Sequence, residues 1–153
     1  MGIFFRDVLS NTPLMSALCA WLISQVLKIF LFTVIYREWD TRRITGAGGM
    51  PSSHSALVAA FCTSIGISDG VASDLFAMSF VIAAIVMYDA AGIRRAVGKQ
   101  AKILNYILSF SETSDSHPAS ANKLQEFQGH TPWEVFAGAC LGIAVAFAFY
   151  FLH

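Results

Sequence analysis

Charge is what this sequence has least of. Lys, Arg, Asp and Glu make up 13% of its 153 residues, against about 25% in an ordinary soluble domain. With 56% hydrophobic residues and a mean hydropathy of +0.59, that scarcity argues against a water-soluble domain and for an integral membrane protein. Neither sign is in excess. Ten basic and ten acidic side chains give a formal net charge of zero, so nothing suggests a nucleic-acid-binding surface. Cysteine is sparse, and Cys19, Cys62 and Cys140 all lie inside apolar runs. They read as small buried hydrophobes rather than disulfide partners or ligands. There is no internal repeat and no low-complexity tract. The first apolar run is too long for a signal-peptide core and lacks a good small-residue cleavage site, so it reads as a retained span.

What is present is a set of apolar segments near bilayer length, for which a helix needs roughly 20 residues. They cover about 13–36, 53–67, 75–91 and 132–152; the second is short and rich in Ala and Ser. Backbone groups in lipid must pair internally. The expected fold is therefore all-α: one integral membrane helical bundle over 1–153, with about four transmembrane helices plus one amphipathic surface helix. The surface helix is expected over about 94–110. There Val97, Ala101, Leu104 and Leu108 can share one face and Arg95, Lys99 and Lys102 another. Turn-forming residues follow over 111–129, read as a mobile loop in which His117 is solvated. Four spans gather the polar residues, including Arg37, Arg42, Arg43, His54, Asp89, Arg94, Arg95, Lys99, Lys102, Lys123, His130 and Glu134, on one side. The other side has Arg6 and almost nothing else basic. The positive-inside rule puts the polar side in the cytoplasm, or its stromal equivalent in a plastid, with both termini opposite.

Three constellations carry chemistry. In GGMPSSHSALVAA, residues 48–60, His54 reads either as a polar residue at a helix start capped by Ser52 or Ser53, or as a titratable group beside a phosphate cradle. The glycines allow close backbone approach, Pro51 suits a helix entry, and a helix N-terminus offers free N–H groups to an anion. In GHTPWEVFAGACLG, residues 129–142, Thr131, Pro132 and Glu134 form a capping box that alone could explain the glutamate. If the helix starts one turn earlier, Glu134 instead lies on the face of His130 and orients its imidazole, as a nucleophilic histidine requires. Gly138 and Gly142 continue the Glu134 face. Packed on Ala56, Ala59, Ala60 and Thr63, they would bring His54 near His130. In MYDAAGIRR, residues 87–95, Asp89, Arg94 and Arg95 are either interfacial anchors or a phosphate clamp, with Asp89 positioning an arginine or a histidine. Lys28 is expensive inside a span and is a functional candidate unless it snorkels to the interface.

The stretches GGMPSSHSA, DAAGIRR and GHTPWEVFAG, in that order, resemble the divergent branch of the type 2 phosphatidic acid phosphatases, a superfamily that includes the vanadium-dependent haloperoxidases. Pro51, Ser52, Ser53 and His54 match a Pro-Ser-Gly-His motif except at Ser53. The resemblance implies that His54 is the acid protonating the leaving oxygen. His130 and Glu134 match a His-x-x-x-Asp motif with Glu for Asp. The resemblance implies that His130 attacks phosphorus and Glu134 orients it. Lys28 fits the phosphate-binding lysine, Arg37 is the nearest candidate for its companion arginine, and Arg94 or Arg95 would stand in for the arginine usually just before the nucleophile. Six helices are usual in the superfamily.

The activity so implied is hydrolysis of a membrane lipid phosphate such as phosphatidate or phosphatidylglycerophosphate through a phosphohistidine, with an isoprenyl diphosphate also suitable. Gly49, Ser52 and Ser53 would help neutralise the phosphate, and Asp89 would support. No cofactor is expected; the carboxylates leave a divalent metal open. The expected partners are the lipid substrate and the bilayer, with a homodimer left open. A non-catalytic lipid-binding or assembly protein is the rival reading. A proton-coupled transporter is disfavoured by four spans without a repeat.

Overall fold

The computed structural model describes residues 2–36, 49–111, 124 and 129–152. Arg37, Arg42, Arg43, His117, Lys123 and most of the 111–129 segment lie outside them. The described residues form six helices and no strand: α1 (Gly2–Ser10), α2 (Thr12–Tyr36), α3 (Ser53–Ser68), α4 (Asp74–Ala91), α5 (Ile93–Ser111) and α6 (Pro132–Leu152). Three helical stretches, Thr12–Val34, Asp74–Ser109 and Pro132–Leu152, are long and apolar enough to cross a bilayer, and α3 is a shorter apolar helix. The chain is thus an all-helical, multi-pass membrane bundle.

α3 stands at the centre, packed by α2, α4 and α6, and it is buried almost all round. Lipid is as apolar as a protein core, so association rests on close packing and internal hydrogen bonds rather than on hydrophobicity. The sequence supplies the means in stripes of small residues. On α2, Ser16, Ala17, Ala20 and Ser24 are buried in one stripe that ends in Lys28. The Ser16 and Ser24 hydroxyls donate back to the carbonyls of Pro13 and Trp21, at 3.0 and 2.6 Å, so no buried donor is wasted. On α6, Gly138 and Gly142 are buried where an added Cβ would meet backbone atoms of Ser52, Ala56 and Ala60 on α3. Ala20, Ala56, Ala60 and Ala146 form the α2–α3–α6 core; Val58, Cys62 and Ala83 form the α3–α4 core. The large side chains Met78, Phe80, Val81, Ile82 and Ile85 of α4 point outward, as a lipid-facing surface should.

One element has no counterpart in the sequence reading, and one expectation is corrected. A short helix, α1, precedes α2, the two joined at Asn11, whose Oδ1 accepts from the Leu14 N–H at 3.0 Å. The three cysteines are free, as expected, but only Cys62 is buried; Cys19 is half-buried and Cys140 exposed. An apolar run in lipid does not tell an inner face from an outer one.

Candidate functional site

The start of α3 is set by Ser52. Its hydroxyl accepts from the Ser55 N–H at 3.4 Å and from the Ser55 hydroxyl at 3.0 Å, so Ser52 rather than Ser53 is the cap. Ahead of it, Gly49 has φ +88°, a conformation that L side chains rarely adopt, and the place of its missing Cβ lies 3.4 Å from the Lys28 stem. The Ser52 N–H donates to the Glu134 carbonyl at 3.0 Å, which ties the entry of α3 directly to the first turn of α6. Two residues into α3, His54 is exposed, and its ring lies 6.5 Å, centroid to centroid, from that of His130.

His130 is held on three sides and is 2% exposed. Its N–H donates to the Ala90 carbonyl at the end of α4, at 3.0 Å. Gly129 before it has φ +96° and lies so close to the backbone of Arg94 and Arg95 that a Cβ would overlap it. Sequence reasoning assigned Gly129 no part, although a glycine immediately before the histidine was the available signal. The ring itself is fixed by Glu134, whose Oε2 lies 3.2 Å from Nδ1.

The same Glu134 oxygen accepts the Thr131 N–H at 2.9 Å, while the Glu134 N–H donates to Thr131 Oγ1 at 3.3 Å. The capping box and the histidine–carboxylate pair are therefore both present. The helix need not begin a turn early, because His130, just ahead of the cap, folds back onto the carboxylate. With hydrogen on Nδ1 facing Glu134, Nε2 keeps its lone pair. Burial pushes the His130 imidazole below its ordinary range; the bonded Glu134 carboxylate opposes this, and the charges of Lys28 and His54 add to it. The net direction is down, so the ring is neutral near pH 7.

Lys28 is buried at the end of the α2 stripe, within electrostatic reach of Glu134, His54 and His130. Asp89 and Arg94 act on His54 in the same way and pair with each other, Arg94 Nε to Asp89 Oδ2 at 2.7 Å. Five elements therefore converge at one end of the bundle: α2 gives Lys28, α3 His54, α4 Asp89, α5 Arg94 and α6 Glu134, with His130 just ahead of α6.

The family model that matches, over residues 9–145, is described as the divergent PAP2 family. The chain belongs to that family. It is also 38% identical over 157 aligned residues to the uncharacterized membrane protein YuiD of Bacillus subtilis (strain 168), an alignment covering 95% of this chain and 99% of that protein. No solved structure matches.

Within this divergent PAP2 chain the expected site residues do not all share one place. Lys28, His54, Asp89, Arg94, His130 and Glu134 are brought together. Gly49 borders Lys28. Ser52 and Ser53 are buried, and the Ser52 hydroxyl is engaged in the cap. Arg95 is exposed and falls at helical spacing with Lys99 and Lys102 rather than with Arg94. Among the described residues no cluster of three or more His, Cys, Asp or Glu is placed to hold a metal ion.

Proposed function

We propose that the protein is a membrane phosphatase that hydrolyses a lipid phosphomonoester such as phosphatidate or phosphatidylglycerophosphate. The observation that carries this reading is the pair of histidines 6.5 Å apart, one exposed and the other buried and anchored by a carboxylate. At that separation one phosphoryl group can touch both rings. His130 Nε2 attacks phosphorus and the bond from phosphorus to the lipid oxygen breaks. The departing alkoxide takes a proton from His54, and the lipid leaves as an alcohol. Water then attacks the phosphohistidine, giving its proton back to His54 and releasing inorganic phosphate with the His130 ring restored. Glu134 holds the ring and stabilises the positive charge it carries while phosphorylated. Lys28 and Arg94 neutralise the phosphate oxygens, the role in which fixed cations contribute most to phosphoryl transfer. The active side faces the cytoplasm or its topological equivalent.

The test is phosphate release by purified protein in mixed micelles of phosphatidate, phosphatidylglycerophosphate or undecaprenyl diphosphate, with and without EDTA. His130→Ala should abolish turnover, and His54→Ala should lower it by about 10²- to 10⁴-fold, the usual worth of a general acid. Best turnover on the diphosphate would move the substrate to the isoprenyl class. Loss of turnover in EDTA would recast the carboxylates as metal ligands. Binding without turnover on every lipid would overturn the enzymatic reading in favour of a lipid-binding protein.

A further inference from the structure

α5 begins one residue after α4 ends, with Gly92 between them. α4 has 18 residues, about 27 Å of helix at 1.5 Å per residue, which nearly fills a hydrocarbon core of about 30 Å. α5 therefore starts at the membrane boundary. It carries Arg94, Arg95, Lys99 and Lys102 and no acidic residue, a composition too costly to continue through the hydrocarbon. At 100° per residue its side chains divide into two arcs. Ile93, Val97, Ile103, Leu104, Ile107 and Leu108 occupy one and are exposed. Arg95, Lys99 and Lys102 lie on the other and are exposed too. Between the arcs runs a narrow stripe that the protein does cover: Gly98 and Ala101 are buried, and the Asn105 side chain bonds both backbone groups of Leu124, at 2.9 and 3.0 Å. Leu124 is thus fastened to one flank of α5. Neither the apolar nor the cationic arc is packed by another described helix.

We propose that α5 is an anionic-lipid docking surface. It lies in the plane of the bilayer with its apolar arc at the acyl boundary, and Arg95, Lys99 and Lys102 hold the phosphates of acidic headgroups such as phosphatidylglycerol. The occupant follows from the charge, because a helix with four cations and no anion complements an acidic leaflet. It follows also from continuity, because the covalent link to α4 leaves the apolar arc no route away from the membrane surface.

The test uses the full-length protein in nanodiscs of phosphatidylcholine containing spin-labelled phosphatidylglycerol or spin-labelled phosphatidylcholine, and compares their association with the protein. The wild type should prefer phosphatidylglycerol several-fold. The triple variant Arg95→Gln, Lys99→Gln, Lys102→Gln should lose most of that preference, while Arg6→Gln on α1 should keep it. Undiminished preference in the triple variant, or none in the wild type, would overturn the proposal. A second readout is independent of charge. In a cysteine-free background, a nitroxide at Leu104→Cys should collide with lipid-soluble oxygen, and one at Lys99→Cys with a water-soluble nickel complex. Shielding of the Leu104 position from both reagents would mean that a protein, a second copy included, covers this face instead, and would overturn the assignment. None of these readouts depends on turnover.

Discussion

Glu134 carries two duties on one oxygen, and they can be separated by a change of one group. Glutamine is accepted in a capping box, so Glu134→Gln should keep the start of α6 and leave the thermal midpoint within a few degrees of wild type. It removes the negative charge beside His130 and can present an N–H to Nδ1, which favours the tautomer with hydrogen on Nε2, the wrong atom for attack on phosphorus. Turnover should fall by roughly 10²- to 10⁴-fold, as when a histidine loses its orienting carboxylate. The pH profile gives a sharper reading. His130 must be neutral to attack, so kcat/KM should decline on the acid side as the ring protonates. Burial holds that transition below the ordinary imidazole value of about 6.5. The carboxylate is what raises it, so the residual activity of Glu134→Gln should lose its acid limb at a still lower pH. A limb that stayed in place or moved upward would show that the carboxylate acts on the helix start and not on the ring.

At the scale of elements, what brings the two histidines together is the absence of side chains. Gly142 and Gly138 let α6 rest on the backbone of α3, and the Ser52 N–H then reaches the Glu134 carbonyl. A methyl group at Gly142 would collide with the Ala56 carbonyl and the Ala60 nitrogen, backbone atoms that cannot rotate away. Gly142→Ala should cost about 1–3 kcal/mol, the usual penalty for overpacking, and should lower turnover by parting His54 from His130. Gly2→Ala, with nothing within 4 Å of the added carbon, should change neither. Equal midpoints and equal turnover for both variants would mean that the helices are not in this contact. Much of this packing was legible beforehand, because small residues at a spacing of four stand out against the large ones around them. The buried stripe of α2 was not, apart from Lys28. α2, α4 and α6 are apolar on every side, so hydrophobicity marks a span without marking its inner face. The same degeneracy hid the exposure of Cys140. α1 went unseen because nine residues with Arg6 and Asp7 among them make neither a span nor a long periodic run. Helical periodicity alone brings His130 beside Glu134 only if the helix starts early, because it says nothing about a residue just outside the cap.

For the molecule as a whole, the bundle sets the two ends of the membrane apart chemically. One end holds the histidine cluster and the four cations of α5. The other holds the turn between α3 and α4, where Asp69 and Asp74 occur without a lysine or arginine, and α1, where Arg6 is offset by Asp7. With α2, α3, α4 and α6 all crossing, the number of passes is even, so both termini share a side and the cluster faces the other. The proposed cytoplasmic placement of the cluster, which the positive-inside rule favours, puts both termini on the far side. Alkaline phosphatase fused after residue 153 should then be active in a bacterial host, since it matures only when exported, and green fluorescent protein at the same place should be dark. The same reporters inserted between residues 112 and 123 should give the reverse. Activity of both alkaline phosphatase fusions would mean that α6, the one helix between the two sites, does not cross. A complete inversion of the pattern, with reporters inserted between residues 40 and 46 agreeing with those at 112–123, would keep the fold and move the chemistry to the outer leaflet; disagreement between those two insertions would mean that α3, with its 16 residues, does not cross. With the inverted pattern the lipid phosphate would have to be delivered from outside, and the cations of α5 would meet the outer headgroups.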